Sequence, residues 1–132
     1  MTLPELPITS LAAIANGLML FLLTVRVIVL RRRDGVVLGD NDDRVLTKAI
    51  RGQANAAEQM PMALILLGLI EAQGGSPIAA AGLAILFTAG RALHGLYFAV
   101  NGTSWRLRFY GMLMTLAAQG GLLAALFVTL LA

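Results

Sequence analysis

Long apolar stretches alternate with short polar breaks four times along this chain. The first apolar stretch runs over about residues 8–30 and stops at Arg31, Arg32 and Arg33. The second, 44–71, is polar in its first half and apolar only from Met60 to Ile70. The third and fourth span about 77–100 and 107–131. Each is long enough for a helix to cross the hydrocarbon core, which takes roughly 20 residues. The pattern predicts an all-α fold, a single domain over 1–132 that forms an integral membrane four-helix bundle.

The breaks read as turns. Between the first two stretches, Gly35, Gly39, Asp34, Asp40, Asp42 and Asp43 are turn formers. That acidic cluster lacks the spacing and closing glutamate of an EF-hand. Asp42 or Asp43 is instead placed to cap the second helix. Gly74 and Gly75 mark the second break, and Asn101 to Ser104 the third. Asn101-Gly102-Thr103 is formally a glycosylation acceptor, but it falls on the cytoplasmic side of the topology expected below.

Composition narrows the picture. The chain is 58% hydrophobic and 13% charged, more apolar than a soluble domain of this size tolerates. It has no cysteine, so it supplies no disulfide, thiolate nucleophile or thiolate metal site. Any thiol chemistry must use a thiol carried by a ligand. A single histidine, His94, makes no metal site. The net charge of +3 does not point to nucleic acid, because the ten Lys and Arg gather near the first and third breaks. The positive-inside rule explains that clustering: both connections face the cytoplasm and both termini lie opposite.

The candidate chemistry begins at Lys48–Pro61. On a helix Arg51, Asn55 and Glu58 fall at i, i+4 and i+7, along one face. Charges at membrane depth are costly and mark a lined cavity, so neighbouring helices must shield this half. Pro61 is placed to kink the helix at the polar–apolar junction. Arg26, inside the first apolar stretch, either snorkels to the interface or joins the pocket. Arg91 needs a partner within the third stretch, and Glu58 is the expected one. His94 and Tyr97 or Phe98 follow at helical spacing, and Trp105, Arg106, Arg108 and Tyr110 form an interfacial belt. The Gln119-Gly120-Gly121 triplet suits helix packing. These groups converge at one depth, which predicts a cationic, water-accessible pocket for a small anionic ligand.

Three segments then resemble a known family. Arg51-X-Gln53-X-Asn55-X-X-Glu58-X-X-Pro61 on the second span is similar to the signature of the MAPEG family, membrane-associated proteins in eicosanoid and glutathione metabolism. Gly90-Arg91 with His94, and Arg106-X-Arg108 with Gly111, Met112 and Thr115, resemble the later helices of its bacterial branch. The resemblance implies a homotrimer with glutathione sites between protomers, in the bacterial inner membrane. It implies that Arg51, Asn55 and Glu58 contact glutathione with Gln53 beside them, and that Tyr97 stands where the family's helix-three tyrosine does. Arg91, His94 and Arg26 complete the expected cofactor-binding set. An arginine at the start of the fourth helix would activate the thiol; Arg106 is the better match and Arg108 the second. The implied partners are glutathione as thiol co-substrate, a lipophilic small-molecule acceptor and the bilayer, without metal. The implied activity is transfer of the glutathione thiolate to a lipophilic electrophile, or reduction of a lipid peroxide. The alternatives are a non-catalytic ligand-binding assembly and a small four-helix transporter. Against a cationic-drug exporter, the first span has no carboxylate after Glu5 and the pocket is cationic.

Overall fold

A computed structural model describes residues 5–132, so residues 1–4 of the expected domain lie outside the described part. Four helices account for most of it: α1 (Pro7–Asp34), α2 (Arg44–Ala72), α3 (Pro77–Ala99) and α4 (Trp105–Leu131). They are between about 35 and 44 Å long at 1.5 Å per residue, enough to cross a bilayer core. Each expected span lies on one of them. The fourth starts two residues earlier than expected, because Ser104 rather than a later residue caps it.

The helix ends follow the local chemistry. The Asp43 carboxylate accepts from the Val45 N–H at 2.7 Å, and Ser76 and Ser104 hydroxyls accept from Ala79 and Arg106 N–H groups at 3.3 Å each. Such caps satisfy donors that the helix itself leaves free. Asp43, not Asp42, is thus the cap. Gly35 ends α1 in the left-handed conformation (φ 65°) and donates to the Arg31 carbonyl, a position suited to glycine. The start of α1 has no cap of its own. Glu71, from the end of α2, supplies one: its carboxylate accepts from the Ile8 N–H (3.0 Å), the Thr9 N–H (2.6 Å) and the Thr9 hydroxyl (2.5 Å). In the first loop, Asp40 accepts from the Thr47 hydroxyl (2.8 Å) and the Asp42 N–H (3.2 Å), and these bonds hold its carboxyl below its ordinary pKa.

Among the described residues α2 touches all three other helices, while α1 and α4 do not meet. The most extensive packing joins α3 and α4. There two glycines let the backbones approach: a Cβ on Gly111 would lie 2.6 Å from the His94 nitrogen and 2.7 Å from the Gly90 carbonyl. Gly90 is equally confined, with the Gly111 carbonyl at 2.9 Å. The core is otherwise alanine with a few large groups, including Leu67, Ile70, Phe87 and Leu122. Polar pairs bridge the interior. Asn16 is fully buried and donates to the Thr88 hydroxyl at 2.9 Å, and Gln119 donates to the Gln59 side-chain carbonyl at 3.0 Å. Gly121 packs against Leu83, so the Gln119–Gly121 segment serves packing. Helix α2 runs unbroken through Pro61.

The outer surface is apolar. Leu11, Ile14, Leu18, Phe21 and Leu22 on α1, and Leu123, Phe127 and Leu131 on α4, are all more than half exposed. Three helices, α1, α3 and α4, are each long and apolar enough to cross a membrane. Helix α2 is as long as these but carries a polar half, and it packs against all three other helices. The molecule is an all-α membrane bundle in which α2 packs against the three apolar helices.

Candidate functional site

The polar half of α2 opens a cavity of about 370 Å³. Arg51, Ala54, Asn55 and Glu58 line it from α2, His94 and Phe98 from α3, and Arg108 from α4. This size falls in the range of small-molecule sites, about 300–1,000 Å³. The helical spacing of Arg51, Asn55 and Glu58 places all three on the cavity face, as their i, i+4, i+7 pattern requires. On α3 the one-turn step from His94 to Phe98 does the same, and the two rings lie 4.9 Å apart. Gly52 lets α2 settle on Phe98, since a Cβ there would lie 2.7 Å from the ring's Cγ.

The charges on the cavity wall do not cancel in pairs. The ion pairs among the described residues join Arg33 to Asp34 and to Asp43, none of which lines this cavity. Arg51, Glu58 and Arg108 are exposed to the cavity mouth. Asn55 has its side-chain carbonyl enclosed and without a hydrogen-bond partner.

Arg91 departs from expectation. It does not pair with Glu58. It lies behind the cavity wall, 1% exposed, and its Nη2 meets His94 Nδ1 at 3.2 Å. The physical reason is local: residues three apart on a helix are neighbours, so His94 is within reach while Glu58 stands on α2 at the cavity's exposed side. Arg91 Nε and Nη1 are enclosed without partners.

The remaining expected residues fall outside the cavity wall. Arg106 is exposed at the start of α4 and does not line the cavity; Arg108, two residues on, does. Tyr97 lies beside it, with the Lys48 ammonium 4.2 Å above its ring and the Arg108 guanidinium 5.7 Å away. Phe98, not Tyr97, faces the cavity. Gln53 is half-buried and off the wall, and Arg26 on α1 has its Nε enclosed without a partner and also lies off the wall. Lys48 was not singled out alone by the sequence; it also donates to the Val100 carbonyl at 3.1 Å and ties α2 to the end of α3. Its place one turn before Arg51, on the same helix face, was the available signal.

A second hollow adjoins the first. A groove of about 460 Å³ on the outer face of α3 and α4 is lined by Trp105, Phe109, Met112, Leu113 and Leu116. It shares His94 and Arg108 with the polar cavity. A third groove, about 510 Å³ between α1 and α3, is walled by alanines, Leu11 and Ile85 with Thr88, and brings no charged group to a ligand. Among the described residues no group of three His, Cys, Asp or Glu is arranged to hold a metal.

A family model described as "MAPEG family" matches residues 9–128. The chain is 31% identical over 111 residues to "Inner membrane protein YecN" of Escherichia coli strain K12, covering 84% of this chain and 83% of that protein. The protein of the same name from Escherichia coli O6:H1, strain CFT073, matches with the same identity and coverage.

Proposed function

The chain belongs to the MAPEG family, and from that premise we propose that it is a glutathione-dependent membrane enzyme. It would transfer the glutathione thiolate to a lipophilic electrophile or use it to reduce a lipid peroxide. The observation that carries this reading is the single cavity that gathers Arg51, Asn55, Glu58, His94 and Arg108.

The charges match the ligand. Glutathione carries two carboxylates and one ammonium, and a further negative charge once its thiol ionises. Arg51, Arg108 and the Arg91 just behind the wall oppose the single carboxylate of Glu58, which leaves two positive charges. The thiolate form of glutathione carries two negative ones. In this reading Arg51 grips a carboxylate through paired N–H bonds, Glu58 holds the ammonium and Asn55 bonds a peptide group. Arg108 stands at the cavity and takes the thiol-activating role for which Arg106 first looked the better match. A guanidinium beside sulfur favours thiolate over thiol. The sulfur then attacks an electrophilic carbon, an S–C bond forms, and the displaced electron pair leaves with the departing group or opens a strained ring. With a peroxide, sulfur takes the distal oxygen, and a second glutathione closes the disulfide with release of alcohol and water.

The apolar groove that shares His94 and Arg108 suits the lipophilic acceptor, which would enter from the bilayer. Assembly as a homotrimer is part of the proposal and rests on the family. So is a place in the bacterial inner membrane, supported by the name of the relative, with the loops at 35–43 and 100–104 facing the cytoplasm.

The test is glutathione binding to detergent-purified protein, read together with the ultraviolet absorbance of a thiolate. Binding with a thiolate signal supports the enzyme. Binding without one leaves a ligand-binding assembly. No binding at millimolar glutathione overturns the proposal.

A further inference from the structure

His94 is the chain's only histidine, and its two ring nitrogens have different surroundings. Nδ1 meets Arg91 Nη2 at 3.2 Å. Nε2 has no partner among the described residues and is not one of the enclosed unpartnered atoms, and His94 lines both the polar cavity and the adjoining groove. A guanidinium has only donors, and a neutral imidazole has one donor and one acceptor. Nδ1 must therefore accept from Arg91, and the ring proton must sit on Nε2.

We infer that Arg91 is a positioning residue which locks His94 in the neutral Nε2–H form, so that His94 presents a hydrogen-bond donor to the cavity and cannot act there as a base. Protonating the ring would turn the Nδ1 hydrogen against Arg91 and add a like charge at 3.2 Å. The other charged groups facing the cavity are Arg51 and Glu58 on α2 and Arg108 on α4; two of the three also oppose an imidazolium. Both members of the pair are buried, Arg91 1% and His94 3% exposed, so water does not compete for Nδ1. The Gly90–Gly111 contact backs the same turn of α3 onto α4, which keeps the His94 backbone in place.

This assignment deepens the glutathione reading, but its first half stands without a ligand. With Nε2 already protonated, His94 takes no proton from the thiol. It donates instead to an atom with a free lone pair, a carboxylate oxygen or the thiolate sulfur. Thiol ionisation is then left to the electrostatics of Arg108, and the proton goes to water.

Nitrogen-15 NMR of imidazole-labelled protein in detergent tests this directly, because one histidine gives one pair of signals. The wild type should show an unprotonated Nδ1 and a protonated Nε2 near neutral pH. An Nδ1–H form or a tautomeric average overturns the inference. Arg91→Gln, whose amide can donate or accept, should give mixed tautomers; an unchanged single form would take the lock away from Arg91. Arg91→Lys keeps a donor-only cation and should keep the wild-type pattern. Added glutathione should shift Nε2 and leave Nδ1 nearly unmoved. A preserved lock with no shift would sink the binding reading alone. In binding, His94→Phe should weaken glutathione roughly tenfold and His94→Gln, which keeps a donor near Nε2, should restore most of it; equal loss in both overturns the donor role.

Discussion

Arg106 and Arg108 are two residues apart, and a helix turns roughly 200° between them, so only one of the pair can face α2 and α3. The structure puts Arg108 on that face. In the proposed enzyme, Arg108→Ala should abolish the glutathione thiolate signal and weaken binding about ten- to a hundredfold, the worth of one charge-assisted hydrogen bond. Arg106→Ala should leave both within about twofold. Titration of bound thiolate in the two variants checks this, and the reverse pattern would return the role to Arg106. The same scale explains why the sequence left Arg91 without its true partner. Glu58 was the available acid, but a buried guanidinium takes whatever acceptor lies within one helical turn, and that is His94 Nδ1. Asp40 makes a further prediction at this scale. Hydrogen bonds from Thr47 and Asp42 lower its folded-state pKa below the unfolded value of about 3.9. Its contribution is therefore complete above that value and is lost as pH falls through the lower, folded one. Unfolding midpoints measured from about pH 6 to 3 should put wild type above Asp40→Asn at pH 6, with the gap closing as the pH falls.

At the scale of elements, glycines decide how closely helices approach. Gly111→Ala would drive a methyl into the backbone of α3, which cannot rotate away. It should destabilise the bundle by about 1–3 kcal/mol, as overpacking does. At Gly52 the obstacle is the Phe98 side chain, which can move, so Gly52→Ala should cost less stability but disturb ligand binding more. Gly17 has open space around it, and Gly17→Ala should be neutral or stabilising by up to about 1 kcal/mol. Thermal unfolding in one detergent ranks the three. The helices themselves were legible from their long apolar stretches, with Asp43 foreseen as one of two cap candidates, whereas the Ser104 cap was missed and α4 starts two residues early for that reason. The cap on α1 was not legible. Its acceptor, Glu71, comes from 62 and 63 residues away and only the tertiary fold brings it there. The face of α2 was legible from its spacing, whereas the register of α4 was not, since an interfacial run of Trp105, Arg106, Arg108 and Tyr110 marks no face by itself.

For the whole molecule, the arginines and the lysine gather toward the end that carries loops 35–43 and 100–104. A chain without cysteine allows that orientation to be read with single introduced thiols. In intact spheroplasts, a membrane-impermeant maleimide should label Gln73→Cys in the opposite loop and spare Asn101→Cys; the inverse result would turn the molecule over. The two hollows that meet at His94 and Arg108 have a kinetic consequence. One opens among charged groups and the other among Trp105, Phe109 and Leu113, so their contents are drawn from separate phases. For the proposed reaction, the acceptor's effective concentration is its mole fraction in the bilayer or micelle, not its amount per litre. Adding lipid at a fixed quantity of acceptor should then slow turnover by surface dilution while leaving saturation by glutathione unchanged, and partitioning into the membrane, more than the fit of any one substituent, should rank the acceptors.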